Sequence, residues 1–221
     1  MLTSAIAIFL KDVTSELRTR YAINALLMFV VVTLAVILFA LVGETLSRAA
    51  MAGLLWIVMF FAAMSGLSRS FVAEEERGTT LTLQLLAAPA PIYLGKLLFN
   101  LTLVVLLNLF IVTLFLIVMQ DFHVNQPDLF WLVMALGSIG MAAATTIIAA
   151  IIARANTKGT LFPVLAFPIL LPLLMAGITA SKVAIEDKVW DAAWPDLQLL
   201  GSYIVVVITA SFLLFDFVWK D

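Results

Sequence analysis

Six long stretches of this chain contain no Asp, Glu, Lys or Arg, and this pattern restricts the fold more than any other feature. Each stretch is mainly apolar and supplies the roughly 20 residues that an α-helix needs to cross the hydrocarbon core of a bilayer. Transmembrane β-strands would be about half as long and would alternate in polarity. The sequence therefore predicts an all-α integral membrane protein with six transmembrane helices, within residues 21–43, 49–68, 97–120, 129–153, 159–181 and 197–215.

The composition agrees with a membrane location. Hydrophobic residues make up 64% of the 221 residues and charged residues only 12%, so a soluble chain of this length would lack the polar surface to cover itself. The formal net charge is −2 and the basic residues form no single patch, which argues against nucleic acid as a partner. The chain has no cysteine, which excludes disulfides and thiolate metal sites. We expect one membrane domain over residues 1–221, with the lipid bilayer as its surroundings.

Lysine and arginine are distributed unequally between the two predicted sides of the membrane. If both termini lie on one side, that side carries nine of the twelve basic residues and the other side three. Basic residues are enriched in cytoplasmic loops, so we expect both termini in the cytoplasm. The nine are Lys11, Arg18, Arg20, Arg69, Arg77, Lys96, Arg154, Lys158 and Lys220, and the three are Arg48, Lys182 and Lys188.

The first twenty residues are too polar to form a span. Apolar Ile6, Leu10, Val13 and Leu17 recur at helical spacing, and polar residues occupy much of the remaining face. This pattern predicts an amphipathic elbow helix that lies at the membrane interface and leads into the first span. The alternative is a frayed polar terminus.

A charged segment separates the second and third predicted spans. Gly78 can end one helix, and Thr79 or Thr80 can cap the next. A leucine-rich turn then runs to Pro89 and Pro91, which stop the helical pattern. We expect a short cytoplasmic coupling helix that is tethered at both ends and transmits force from a docked soluble protein. A solvated connector is the alternative that these residues leave open.

The fifth predicted span contains three prolines, Pro163, Pro168 and Pro172. Each removes a backbone donor, so we expect them to kink or locally open this helix. At membrane depth the freed carbonyls then need partners from protein, side chains or water. The prolines are interpreted either as a flexing element of transport or as a static kink that improves packing.

Polar and small residues in the third and fourth spans indicate close helix packing. Asn100 and Asn108 lie two turns apart, and we expect both to face one interior seam and to form interhelical hydrogen bonds. The fourth span has a face of small residues, which favours a close approach of its neighbours. That face comprises Gly137, Ser138, Gly140, Ala142, Ala143 and Ala144.

Catalytic motifs are absent from the sequence. There is no Gly-x-x-x-x-Gly-Lys-Ser/Thr phosphate loop, no nucleophile with a base and no cluster of metal ligands. His123 is the only histidine. Imidazole is a common axial ligand of haem iron, but a lone interfacial histidine is more often without such a role. We expect a protein that is not an enzyme and that binds no metal through its own side chains.

Two segments resemble known transporter permeases. The run Glu74-Glu75-Glu76-Arg77-Gly78-Thr79, the leucine-rich turn, the proline pair and Leu94-Gly95-Lys96-Leu97-Leu98 resemble the cytoplasmic signature of ABC-2-type permeases. The run Phe167-Pro168-Ile169-Leu170-Leu171-Pro172-Leu173-Leu174 is similar to the double-proline run of the CcmB family, the haem-exporter permeases of cytochrome c maturation. That family's loop pattern is matched at Phe71, Glu74, Gly78 and Thr79. It differs at Arg77, where the family has Asp, and at Thr80, where the family has Leu.

The resemblance implies a permease subunit in the bacterial inner membrane that docks a separate ABC ATPase through residues 71–91. ATP would then act through that partner, and haem would be the molecule handled, with no cofactor bound covalently. Other membrane subunits of cytochrome c maturation are further implied partners. The implied activity is haem export or ATP-driven release of a haem chaperone. The alternatives are an ABC-2 exporter of a drug, lipid or glycan, and a membrane scaffold without a transport cycle. The implied docking residues are Phe71, Glu74, Glu75, Glu76, Arg77, Gly78 and Thr79.

Overall fold

A computed structural model describes residues 1–43, 46–67, 69–76, 78–119, 121–153, 158–186 and 189–220. These residues are almost entirely helical, and no strand occurs among them. The helices in chain order are α1 (Leu2–Thr19), α2 (Tyr21–Ala40), α3 (Arg48–Leu67), α4 (Arg69–Glu76), α5 (Thr80–Leu86), α6 (Pro89–Val118), α7 (Pro127–Ala153), α8 (Lys158–Glu186), a 3₁₀ helix (Trp190–Ala193) and α9 (Trp194–Lys220).

Six segments of the described chain are helical, long enough and apolar enough to cross a membrane. They lie in α2, in α3 and α4, in α6, in α7, in α8, and in the 3₁₀ helix with α9. The predicted all-α membrane fold is therefore confirmed. The third span differs in its start, because α6 begins at Pro89 and not after Lys96. Proline fits the first turn of a helix, where its missing N–H needs no partner, and the Lys96 charge is buried within the protein.

Helix α7 lies at the centre of the bundle, and α2 lies at its edge. Most residues of α7 are buried, and the small face predicted for it lies entirely among them. Most side chains of α2 are exposed or half-buried. Small side chains on α7 let α6, α8 and α9 approach its backbone closely, which is how membrane helices gain packing energy without a hydrophobic driving force between them.

The indole of Trp56 joins α3 to α7 and α8. Trp56 is fully buried, and its Nε1 donates a hydrogen bond to Ser181 Oγ at 2.9 Å. A Cβ added at Gly137 would lie 2.3 Å from Trp56 Cη2, and one added at Gly177 would lie 2.4 Å from the same atom. Both glycines are therefore needed for the ring to fit between the helices.

A polar seam joins α6 to α7. Asn100 Nδ2 donates to Thr146 Oγ1 at 2.8 Å, and Asn108 Nδ2 donates to Ser138 Oγ at 2.9 Å. Asn108 follows Asn100 by eight residues on α6, and Ser138 precedes Thr146 by eight residues on α7. Both pairs therefore fit one antiparallel register of the two helices. The predicted interior seam and its interhelical hydrogen bonds are confirmed.

Helix α8 continues as one α-helix through Pro163, Pro168 and Pro172, and the kink stays a prediction. The hydroxyl of Tyr203 on α9 donates to the Ile169 carbonyl at 3.0 Å. Ile169 precedes Pro172 by three residues, in the turn where a proline ring disturbs backbone hydrogen bonding. A neighbouring side chain thus supplies a donor in the same turn, one residue beyond the Pro168 carbonyl that Pro172 leaves without its helical donor.

Contacts between distant segments define the two ends of the bundle. At one end Lys11 of α1 pairs with Glu74 of α4, and Gln84 Nε2 of α5 donates to the Trp219 carbonyl of α9 at 2.6 Å. At the other end Arg48 Nη1 and Asn125 Nδ2 donate to the Ile185 carbonyl, at 3.2 and 3.0 Å. Helix α1, the α4–α5 segment and the end of α9 therefore share one end of the bundle.

Candidate functional site

The segment between α4 and α5 turns sharply at Gly78. Its φ is +66°, a backbone conformation that glycine adopts readily and other residues rarely adopt. The Gly78 amide donates to the Glu75 carbonyl at 3.1 Å, and the Thr79 amide donates to the Glu74 carbonyl at 3.0 Å. The predicted helix break at Gly78 is thus confirmed. Thr79 occupies the N-cap of α5, but its hydroxyl contacts Glu74 and makes no capping hydrogen bond.

The leucine-rich turn forms the short helix α5, which ends at Leu86. Ala87, which follows, has an extended backbone. Pro89 and Pro91 belong to the first turns of α6, so they begin the next helix and do not terminate α5. Their fixed φ suits a helix start. The α4–α5 segment is consequently held between α3 and α6 by very short connections.

Four charged side chains from α1, α4 and α6 meet beneath this segment, and we call Lys11, Asp12, Glu74 and Lys96 the ion-pair cluster. Lys96 Nζ lies 2.9 Å from Glu74 Oε1 and 2.9 Å from Asp12 Oδ2. It also donates to the Ser70 carbonyl at 2.8 Å. Lys11 pairs with Glu74 and lies 3.3 Å from Asp12 Oδ1. Two positive and two negative charges thus balance at the junction of three helices.

Three members of the ion-pair cluster, Asp12, Glu74 and Lys96, lie inside the protein, and Lys11 lies at its exposed edge. Lys96 is 1% exposed and Glu74 is 8% exposed. Removing one partner of a buried pair leaves an uncompensated charge and costs about 3–5 kcal/mol. Burial lowers the pKa of the Lys11 ammonium, but its hydrogen bond to Glu74 and the nearby Asp12 charge raise the pKa by more, so its net pKa is above the usual value. Lys11 therefore stays charged at neutral pH and keeps the cluster balanced.

Helix α1 reaches the cluster because Gly95 lets it approach α6. A Cβ at Gly95 would lie 2.8 Å from the Ala5 carbonyl oxygen and 2.8 Å from Ile8 Cβ. Ala5 and Ile8 are buried against α6, whereas Ile6 and Leu10 of the predicted apolar stripe are exposed. The amphipathic elbow helix is present, with Ile8 facing the bundle and Ile6 and Leu10 exposed, where lipid is expected.

Phe71 is a second internal anchor of the segment. Its ring is buried, and its centroid lies 5.7 Å from that of Phe215 and 5.8 Å from that of Trp219, both on α9. Lys96 Nζ lies 5.6 Å from the centre of the Phe71 ring, within the range of a cation–π interaction. Phe71 and Glu74 thus connect α4 to its neighbours within the protein.

The other residues of the segment form an exposed surface. Glu75, Glu76, Gly78 and Thr79 are exposed, and three leucines of α5 are among the most exposed apolar side chains, with Leu85 at 88%. A groove of about 450 Å³ lies beside them, lined partly by Gln84, Ala87 and Trp219. Arg77 lies outside the described residues. We call Glu75, Glu76, Gly78, Thr79, Leu81, Leu85 and Leu86 the docking surface.

The structure therefore divides the predicted docking residues into two groups. Phe71 and Glu74 lie inside the protein, and Glu75, Glu76, Gly78 and Thr79 lie outside it. Sequence reasoning did not identify Lys11 and Asp12 as partners of this segment, because the residues around them do not predict a contact more than sixty positions away.

His123 is exposed, in the connection between α6 and α7 at the other end of the bundle.

Comparison with known proteins supports the resemblance seen in the sequence. The model of the CcmB protein family matches residues 3–216. No match was found among curated proteins. The matched region contains the ion-pair cluster, the docking surface and five of the six membrane spans, and it covers the elbow helix and the sixth span except for their outermost residues. The chain therefore belongs to the CcmB family of haem-exporter permeases, the membrane subunits of an ABC system for haem export and cytochrome c maturation.

Proposed function

We propose that a separate ABC ATPase binds this permease at the docking surface, on the cytoplasmic side of the bacterial inner membrane. The observation that carries the proposal is the contrast within the segment from Phe71 to Leu86. Its acidic residues and leucines are exposed next to one another, while Phe71 and Glu74 hold the same segment to three other helices. Exposed leucines with adjacent carboxylates suit a partner groove that is apolar at its centre and basic at its rim.

The anchoring contacts offer a route from the docking surface into the membrane. Glu74 connects α4 to α1 and α6 through Lys11 and Lys96. Phe71 and Gln84 connect the segment to α9 through Trp219. A displacement of the segment by the ATPase would move these three helices with it, because a buried ion pair and packed rings resist separation. A solvated connector would lack such anchors.

The orientation follows from the charges at the two ends of the bundle. The docking surface, α1 and the end of α9 share one end of the bundle, and the sequence assigns nine of the twelve basic residues to the side of the termini. Positively charged residues favour the cytoplasmic side. Both termini and the docking surface would then face the compartment that holds ATP.

Membership of the family supports haem as the molecule handled, with ATP hydrolysed by the partner subunit. The cycle would either move haem across the membrane or release a haem-loaded chaperone on the outer side. Other membrane subunits of cytochrome c maturation would complete the complex. This chain would then contribute the membrane passage and the mechanical coupling, and no catalytic group.

Retention of the ATPase during purification tests the docking surface. Leu85→Asp places a charge at the centre of that surface and should lower ATPase retention about tenfold or more, as loss of a central contact does in other interfaces. Val42→Asp is the matched control, because Val42 is 78% exposed and follows α2 at the opposite end of the bundle. The proposal fails if Leu85→Asp and Val42→Asp retain the ATPase equally well and both insert normally.

A further inference from the structure

A cleft of about 350 Å³ opens between α6 and α7, away from the docking surface. Its walls are mainly apolar, and Trp131, which is 44% exposed, stands at its rim. Two polar side chains also line it, Asn108 and Ser138. Asn108 lies about 15 Å from the end of α6 at Val118, at 1.5 Å per residue, so this cleft lies at membrane depth.

The hydrogen bonds around Asn108 determine which way its amide points. Ser138 has one hydroxyl hydrogen, and it donates that hydrogen to the Met134 carbonyl at 2.7 Å. Ser138 Oγ can therefore only accept from Asn108, whose Nδ2 lies 2.9 Å away. This leaves Asn108 Oδ1 as the free end of the amide, and it has no hydrogen-bond partner among the described residues.

An unpaired acceptor at this depth is unfavourable. Asn108 is only 3% exposed, and the hydrocarbon core of a bilayer contains no bulk water to donate a hydrogen bond. Binding sites for small molecules typically combine apolar walls with a few polar groups that orient the ligand. The cleft has this character, because its walls are mainly apolar and its lining residues include Asn108, whose buried Oδ1 has no partner among the described residues.

We propose that the cleft between α6 and α7 binds a largely apolar molecule that donates one hydrogen bond to Asn108 Oδ1, such as a long-chain alcohol. A slender alkyl chain with a hydroxyl end can reach an acceptor that is recessed beneath the lining side chains. A neighbouring transmembrane helix is broader and would contact the rim, where Trp131 stands. This site is separate from the docking surface and does not depend on the proposed ATPase.

Fluorescence quenching of Trp131 tests the site. The full chain in lipid nanodiscs is titrated with bromoundecanol and with bromoundecane, because bromine quenches nearby tryptophan. The contribution of Trp131 is the difference between the native chain and Trp131→Phe. We expect the alcohol to quench Trp131 at about two- to tenfold lower concentration within the bilayer than the alkane, the range that one net hydrogen bond provides. Equal concentrations would overturn the proposal and favour a cleft that a neighbouring helix covers.

Two substitutions of asparagine give a matched comparison. Asn108→Leu should abolish the difference between the two probes. Asn100→Leu removes the same kind of bond from the same helix, but Asn100 does not line the cleft, so the difference should persist. Retention of the difference in Asn108→Leu would overturn the proposal.

A third variant keeps the test decisive if Asn108→Leu does not fold. Ala135 lines the cleft and is exposed on the outer face of α7. Ala135→Phe should fill the cleft and abolish quenching of Trp131 by the alcohol without disturbing the buried seam. Unchanged quenching in this variant would show that the alcohol does not occupy the cleft.

Discussion

Lys96 Nζ on α6 lies 2.9 Å from Glu74 Oε1 on α4, inside the bundle and directly beneath the docking surface. The same ammonium lies 2.9 Å from Asp12 on α1, so one lysine joins the elbow helix, the docking segment and a membrane span. This arrangement makes Glu74 an internal anchor, and it leaves only the neighbouring exposed residues available for the proposed contact with an ATPase.

Removing the Lys96 charge should destabilise the protein strongly. Lys96→Met leaves Asp12 and Glu74 with one lysine between them, and loss of one partner from a buried pair costs about 3–5 kcal/mol. Lys96→Met combined with Asp12→Asn restores the charge balance and should recover part of that loss. Thermal unfolding of the detergent-solubilised protein measures both effects.

Lys182→Met is the control for this experiment. Lys182 lies 3.9 Å from Glu186 and is 39% exposed, so its loss should cost about 1 kcal/mol or less. Equal unfolding temperatures for Lys96→Met and Lys182→Met would show that the ion-pair cluster contributes little to stability.

Gly95 should be intolerant of even one added methyl group. Gly95→Ala would bring a Cβ within 2.8 Å of the Ala5 carbonyl oxygen, which requires α1 to move away from α6. We expect protease cleavage within residues 1–20 to become several-fold faster, because the displaced helix loses its protection. Gly53→Ala is the matched control, since Gly53 is also helical and a Cβ there meets nothing within 4 Å. Equal cleavage rates in the two variants would contradict the close α1–α6 contact.

The orientation of the chain predicts the behaviour of topology reporters. Reporters fused near Met1, after Gly78 and after Lys220 should report the cytoplasm, because these positions share the basic end of the bundle. Reporters inserted near Ser47 and Asn125 should report the external side, since Arg48 and Asn125 both contact the Ile185 carbonyl at the other end. A cytoplasmic signal at Asn125 would be incompatible with the six-span arrangement.

Deletion of the protein separates a role in haem handling from export of a drug, lipid or glycan. We expect covalent haem attachment to c-type cytochromes to stop while b-type cytochromes persist, as measured by haem staining and difference spectra. An ATPase-dead partner should produce the same loss, because the proposed cycle draws its energy from that subunit. Normal c-type cytochromes in a deletion strain without a paralogue would exclude the maturation role.

The sequence determined the features that depend on neighbouring residues. Six charge-free apolar stretches determined the spans, because hydrocarbon excludes charge and requires each backbone group to be paired within a helix. Gly78 was recognisable as a turn because a left-handed backbone conformation is a local property of glycine. The spacing of Asn100 and Asn108 placed both on one face of α6, because side chains eight residues apart lie about two helical turns apart.

Only the tertiary structure decided which residues of the docking segment are available to a partner. Glu74 is the first of three consecutive glutamates, yet it alone is buried, next to Lys11 and Lys96. Those lysines lie 63 and 22 residues away in the chain. The spacing of neighbouring residues along a helix does not predict a pairing over such distances. The physical reason is that a charge enters a low-dielectric interior only where opposite charges meet it, and their meeting depends on how α1, α4 and α6 pack.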